Sequence, residues 1–141
     1  MNTFEINYRK LVRYSGVYDL VVTFPFAIPG LVTLQLATLA QLQGGLGLAG
    51  QFPIFEPAHL LFLNLFGTIV SVWSVLRIAK PEPLFGFADG IGRAAFSMLM
   101  IYYLVVWSVP QIVVLFVIPE VLFGIAQLGG YWMHLNYLKR C

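Results

Sequence analysis

Four long apolar stretches constrain the fold of this chain more than any other feature of its sequence. They cover residues 14–39, 58–78, 91–109 and 112–133, and polar or charged segments separate them. A helix needs about 20 predominantly apolar residues to cross the hydrocarbon core of a bilayer. We therefore predict an all-α fold, an integral membrane four-helix bundle that forms a single transmembrane domain over residues 1–141.

The composition supports the same prediction. The chain is 60% hydrophobic and 10% charged, whereas soluble domains contain about 25% charged residues. So few charges cannot cover a soluble fold of this size, but lipid can solvate an apolar exterior. The net charge of +2 gives no basis for a nucleic-acid partner, so the expected partner is the lipid bilayer. The single cysteine, Cys141, excludes an internal disulfide.

The basic residues predict an orientation. Four spans place the N-terminus, the connection between the second and third spans, and the C-terminus on one side, while the two opposite loops contain no Lys or Arg. Cytoplasmic loops are enriched in these residues. We predict a multi-pass protein of the bacterial cell (inner) membrane with both termini cytoplasmic and two hairpins of the same orientation. The basic residues on that side are Arg9, Lys10, Arg13, Arg77, Lys80, Arg93, Lys139 and Arg140.

Prolines and glycines predict the shape of the connections. Pro25 and Pro29 lie inside the first apolar stretch, and each removes a helix hydrogen bond, so we expect one kinked first helix. Residues 40–57 are predicted to form the long outer loop. Residues 77–93 combine charges with prolines and glycines, and we predict that they form a polar cytoplasmic hinge.

Asp19 is the most informative ionisable residue, because a charge within the membrane is costly and often functional. We place it near the inner end of the first span. One interpretation is a structural ion pair with Arg13, Arg77 or Arg93 that holds the inner helix ends together. The other interpretation is a proton or cation site on a pathway.

Further polar candidates lie on the second and fourth spans. Glu120 is predicted in the first turn of the fourth span, on the outer side, where it complements a helix N-terminus. It could instead line a pathway mouth with Glu56 and His59, but this spacing matches no ligand motif and we predict no metal. Asn64 and Gln127 could form interhelical hydrogen bonds or polarise a ligand pocket. We predict no catalytic residues and no cofactor.

Three short motifs lie near predicted span ends: Arg13-Tyr14-Ser15-Gly16, Asp89-Gly90-Ile91-Gly92-Arg93 and Glu120-Val121-Leu122-Phe123-Gly124. In this respect the chain resembles the DoxX-like group of small four-span bacterial membrane proteins. Members often have an Arg near the inner start of a span and a Glu early in the last one. The resemblance implies a four-helix membrane architecture. The group is functionally mixed, with some members in redox or stress-linked complexes, so it implies no particular reaction.

Three function hypotheses follow. The first is a non-catalytic accessory or assembly component of a membrane complex, which fits few buried polar groups and the stripe of small residues Gly67, Ser71 and Ser74. The second is an oligomeric transporter or channel for a small solute or ion that uses Asp19, Asn64 and Glu120. The third is a quinone-linked redox subunit. Expected partners are other copies of the chain or other membrane subunits.

Overall fold

The computed structural model describes residues 3–139, within which it forms five helices and no strand. The side chains of Phe4 and Leu138 are not described, and Arg140 and Cys141 lie outside the described residues. A short 3-10 turn, Gln111–Val113, precedes the last helix. The helices are α1 Thr3–Ala27, α2 Leu31–Gly45, α3 Pro57–Ala79, α4 Pro83–Val106 and α5 Val114–Leu138.

Three of these segments are long and apolar enough to cross a membrane. They are Pro57–Ala79, Pro83–Val106 and Gln111–Tyr137, with mean hydropathies of 1.7, 1.3 and 2.2. Glu5–Ala27 and Leu31–Gly45 meet the same criterion only as a pair bent by 112°. The all-α prediction is therefore confirmed, with three candidate spans, or four if the bent pair counts as one.

The prediction of one kinked first helix is wrong, because the chain breaks between α1 and α2. Pro25 stays inside α1. The break occurs at Ile28–Gly30, where Pro29 disfavours helical geometry in the residue before it. Gly30 then adopts a φ of +88°, which a residue without a Cβ tolerates readily. These two residues together turn the chain far more sharply than a proline kink alone.

The predicted polar hinge at residues 77–93 is also wrong, since almost all of it is helical. Only Lys80–Glu82 separate α3 from α4. Pro83 begins α4, because the first position of a helix needs no backbone N–H donor and suits the fixed φ of proline. Arg77, Asp89 and Arg93 therefore lie on helices, and only Lys80 and Glu82 remain in the short exposed connection.

The outer connection is shorter than predicted, because α2 extends to Gly45. Residues 46–56 form the loop, and it is tied to the turn before α5. Gln111 donates its backbone N–H to the Ala49 carbonyl at 3.0 Å, and its side-chain oxygen accepts the Ala49 N–H at 2.9 Å. Gly50 has a φ of +99° and packs against the Pro110 backbone.

Small residues allow α1 and α3 to pack closely along their length. A Cβ at Gly67 would lie 2.5 Å from the Phe26 carbonyl carbon and would overlap the Ala27 nitrogen. At the other end of the pair, a Cβ at Gly16 would lie 3.1 Å from the Ser74 carbonyl oxygen. The stripe of small residues on α3 therefore serves a helix contact within this chain.

Tyr8 joins α1 to the second helix pair, α4 and α5. Its side chain is buried, and its hydroxyl donates a hydrogen bond to the Gln127 carbonyl at 2.9 Å. Gly86 on α4 and Gly130 on α5 provide the space, since a Cβ at either would lie 2.6 Å from a Tyr8 side-chain atom. The two helix pairs, α1 with α3 and α4 with α5, are thus fixed together at this end.

We expect Gly67→Ala to lower the free energy of unfolding by about 1–3 kcal/mol, because the added methyl group meets backbone atoms that cannot move aside. The matched control is Gly129→Ala on α5, where a Cβ meets nothing within 4 Å. That change should raise stability by up to ~1 kcal/mol through helix propensity. Denaturation of the purified variants followed by circular dichroism measures both. Equal effects at the two positions would contradict the close contact.

Candidate functional site

Five charged side chains from four helices meet between the two helix pairs. We call them the charge cluster: Asp19 on α1, Arg77 on α3, Asp89 and Arg93 on α4, and Glu120 on α5. Arg77 is completely buried, and the side chain of Glu120, the most accessible of the five, is only 15% exposed. Charges this deep require partners, because an unpaired buried ion is strongly destabilising.

Arg77 connects α3 to α1 and α4. Its two terminal nitrogens donate to carboxylate oxygens, one of Asp19 and one of Asp89. The same nitrogens also reach the hydroxyl oxygens of Ser15 at 3.1 Å and Ser74 at 3.4 Å. Arg77 therefore contacts two acidic residues from different helices, which explains how the protein accommodates a fully buried guanidinium.

Arg93 connects α4 to α1 and α5. Its Nη2 donates to Asp19 at 2.5 Å, and its Nη1 donates to Glu120 at 2.9 Å. Its Nε donates to Asp89 at 2.9 Å, one helical turn earlier on α4, where the i,i+4 spacing places both side chains on one face. The guanidinium carbon also lies 5.0 Å from the centre of the Phe123 ring.

Neutral polar groups complete the hydrogen bonding around Asp89. Trp73 donates its indole N–H to one carboxylate oxygen at 2.9 Å. Gln127 donates its side-chain N–H to the other oxygen at 2.9 Å and also to the Ser15 hydroxyl at 2.8 Å. With the two arginines, both oxygens of Asp89 have partners, so this carboxylate is the structural centre of the cluster.

The charge cluster is not electrically balanced. Two arginines contribute +2 and three carboxylates contribute −3, which leaves a formal charge of −1. The second carboxylate oxygen of Glu120, Oε2, is buried and has no hydrogen-bond partner among the described residues. A buried acceptor without a partner is unfavourable. Two further buried atoms here have no partner among the described residues, the donor Arg77 Nε and the acceptor Gln127 Oε1, so Oε2 is the incomplete carboxylate of the cluster.

A cavity of about 440 Å³ lies beside the charge cluster, with walls from α1, α3, α4 and α5. Asp19, Asp89, Arg93 and Glu120 line it at one end. Ligand sites typically have 300–1,000 Å³ of volume, apolar walls and a few polar groups. The rest of the wall is mainly apolar, and its aromatic members are Tyr18, Phe26, Phe66, Trp73, Phe96 and Phe116.

A second apolar cavity of about 400 Å³ adjoins the first. Met100 and Phe116 line both volumes. The second cavity is otherwise formed where α2 and the outer loop cross α4 and the start of α5, with Leu36, Phe52 and Ile112 among its walls. The bend between α1 and α2 therefore brings α2 over the end of the bundle and creates this volume.

The structure brings together several predicted site residues. Asp19 was predicted to pair with Arg13, Arg77 or Arg93, and in the structure it pairs with the last two. Arg13 instead donates its Nε to the Ile78 carbonyl at 3.2 Å. Asp19 lies in the interior of α1 and not near its end, because this helix begins well before the predicted span.

The predicted outer group of Glu120, Glu56 and His59 does not form. Glu120 contacts Arg93 at the level of Asp19, so its placement on the opposite side from Asp19 is wrong. The Glu56 N–H donates to the His59 ring at 3.1 Å and so caps the start of α3. Within residues 3–139, no three His, Cys, Asp or Glu side chains are grouped as metal ligands.

The two predicted amide residues have different surroundings. Asn64 donates its side-chain N–H to the Phe26 carbonyl at 2.7 Å and so satisfies a backbone acceptor at the end of α1. It does not line the 440 Å³ cavity. Gln127 is fully buried beside the charge cluster, where it contacts Asp89.

Asp89 and Trp73 are the important residues that the sequence analysis missed. It assigned Asp89 to a polar hinge and did not consider Trp73 as a cluster residue. The informative pattern was the four-residue spacing of Asp89 and Arg93, which suits an acid–arginine pair on one helix face. The hinge interpretation concealed this pattern, because it placed Asp89 before the start of the predicted span 91–109 that contains Arg93.

Comparison with other proteins adds no assignment to this site. No protein-family model, curated protein or solved structure matches the chain. The resemblance to the DoxX-like group stays a prediction, and the function is inferred from the geometry of the cluster and the cavity.

We expect Arg77→Gln to lower the free energy of unfolding by about 3–5 kcal/mol, because it leaves Asp19 and Asp89 short of a buried cationic partner. The matched control is Arg9→Gln, which removes a partly exposed pair with Glu5 on the same helix. Such pairs contribute about 0.3–0.5 kcal/mol. Denaturant titration of the two purified variants measures the difference. A similar small loss in both would mean that the cluster does not hold the helices together.

Proposed function

We propose that the chain is a multi-pass protein of the cell (inner) membrane. The distribution of polarity supports this. Among the described residues, nine polar or charged residues but only five hydrophobic ones are buried, while many large hydrophobic side chains on α3, α4 and α5 are exposed. A fold with a charged interior and an apolar exterior suits lipid as its solvent.

We propose that both termini face the cytoplasm. Arg77 and Arg93 are buried in the charge cluster and do not count as loop charges. The hydrogen bond from Arg13 to Ile78 shows that the N-terminal half of α1 lies beside the end of α3. The other described basic residues cluster at the same end of the bundle, which the positive-inside rule makes cytoplasmic: Arg9, Lys10, Arg13, Lys80 and Lys139.

We propose that this protein binds a small, predominantly apolar molecule within the membrane. The observation that supports the proposal is the 440 Å³ cavity, whose aromatic and aliphatic walls lead to the charge cluster. Charged groups at one end of an apolar cavity orient a ligand with one polar end. Asp19 and Glu120, which the transport hypothesis used, both line this cavity.

The structure reduces the support for the accessory-subunit hypothesis. That hypothesis depended on a stripe of small residues as a docking surface and on few buried polar groups. Gly67 instead packs against α1, and Ser74 is buried beside Arg77. The buried polar groups are numerous and interconnected. Both features contribute to the interior of this chain.

We expect the outer loop and the α3–α4 turn to react with an impermeant thiol reagent from opposite sides. Gln51 and Lys80 are exposed and lie in these two connections, so single cysteines at these positions, in a Cys141→Ser background, report each side. In intact cells Gln51→Cys should be labelled, whereas Lys80→Cys should require permeabilisation. Labelling of both from one side would contradict the topology.

We expect Gly92→Leu to abolish ligand binding by filling the cavity. Gly92 lines the cavity, and a Cβ there meets nothing within 4 Å, so the helix should accept the larger residue. The matched control is Gly129→Leu, at an exposed helical glycine with equally open space.

The measurement is the thermal unfolding midpoint in lipid nanodiscs during titration with octanol, octylamine and octanoate. A probe at 100 times its dissociation constant stabilises the native state by about 2.7 kcal/mol. At least one probe should stabilise the parent protein and Gly129→Leu but not Gly92→Leu. If no probe binds, or if Gly92→Leu responds like the parent, the cavity is not a binding site.

A further inference from the structure

We propose that the cavity selects a monocation, an apolar molecule with a single protonated amine head group. This inference rests on the proposed function. The ammonium group would lie against the charge cluster, at Glu120, and the apolar body would extend between the aromatic walls. The proposal is supported by the charge of the cluster, by one unpartnered oxygen and by the chemistry of the cavity wall.

The formal charge of the charge cluster favours a cationic ligand. The cluster's formal charge of −1 lies in an apolar interior, where an unbalanced charge is unfavourable. The arginines already contact all three carboxylates, so the described residues contribute no further cation to this site. A ligand with one positive charge brings the total to zero, whereas an anionic ligand would bring it to −2.

The carboxylate oxygens of the charge cluster differ in how many hydrogen-bond partners they have. Asp89 has partners on both of its oxygens, from Trp73 on one and from the arginines and Gln127 on the other. Glu120 uses Oε1 for Arg93, and its Oε2 has no partner among the described residues. Glu120 also lines the cavity. Oε2 is itself buried, so the Glu120 carboxylate would turn toward the cavity to accept an ammonium N–H. Asp19, whose Oδ2 accepts from both arginines, lines the cavity beside it.

The wall of the cavity contains aromatic side chains that suit a cationic ligand. Aromatic ring faces attract cations, and aromatic side chains are a common lining for ammonium ligands. Trp73 lies in the wall at the charged residues, since it donates its indole N–H to Asp89, and Tyr18 is a second aromatic residue of the same wall. Phe66, Phe96 and Phe116 line the remainder. The wall thus suits both a cationic head and an apolar body.

The experiment compares octylamine, octanol and octanoate, which share one alkyl chain and differ in head group. Dissociation constants are measured from thermal unfolding midpoints in nanodiscs of zwitterionic lipid, and the response of Gly92→Leu is subtracted as non-specific partition. We expect octylamine to bind at least about tenfold more tightly than octanol, since hydrogen bonds to charged groups contribute this much. Octanoate should bind more weakly than either.

Glu120→Gln tests the role of the acceptor. This change removes the negative charge but keeps an oxygen that can accept from Arg93, so circular dichroism should show a helical fold. The preference for octylamine over octanol should fall to less than about threefold. The matched control is Glu82→Gln, which makes the same substitution at an exposed position before α4 and should leave the preference unchanged.

The outcomes separate this inference from the proposed function. If octanol binds the parent protein as tightly as octylamine, a proton and not a ligand balances the cluster, and the inference is overturned while the binding function stands. An unchanged preference in Glu120→Gln overturns the assignment of Glu120. If none of the three probes binds, the proposed function itself fails. The comparison in the parent protein decides the question even if Glu120→Gln does not fold.

Discussion

The contacts of two buried arginines with three carboxylates hold this structure together. The helices form two pairs, α1 with α3 and α4 with α5, and each pair packs mainly within itself. Arg77 and Arg93 each contact acidic residues on more than one helix, and Asp19 and Asp89 each accept from both arginines. The cluster therefore fixes the two pairs relative to each other. Its members depend on one another, because removing one leaves the others as uncompensated charges.

The cavity forms where the two helix pairs do not pack closely against each other. Gly16 and Gly67 bring α1 close to α3, and Tyr8 fills the space between the pairs at one end. On the other side of the charge cluster, none of the described residues that line the 440 Å³ cavity fills the space between the pairs as Tyr8 does. The cavity remains there as a result. The same cluster that joins the pairs thus forms the polar end of the cavity.

The sequence contained enough information for the helical class but not for the charge cluster. The length and hydropathy of the apolar stretches depend only on the local sequence, and an apolar run long enough to cross a bilayer predicts a helix. The break after α1 requires Pro29 together with the next residue, Gly30, which has a positive φ. Pro25 is tolerated within α1. The presence of a proline alone does not distinguish these two positions.

The charge cluster was hidden for a different reason. Asp89 was assigned to a solvated hinge with Arg77 and Arg93 at its ends, because clustered charges beside prolines and glycines are typical of loops. Whether charges face water or one another depends on long-range contacts, here with Asp19 and Glu120. Depth was misjudged for the same reason, since the real helix ends shifted both acidic residues along their axes. The pairing of Asp19 with Arg77 and Arg93 was predicted, whereas the pairs of Asp89 and of Glu120 with Arg93 were not.

The two cavities share Met100 and Phe116, and this arrangement affects how a molecule could exchange between them. Methionine is unbranched and flexible, so a change of its rotamer alters both volumes at once without separating any helices. Side-chain rotation is far faster than collective helix motion. Met100 and Phe116 are therefore the side chains through which a change of shape in one cavity reaches the other, while the ionic contacts between the helix pairs involve neither residue.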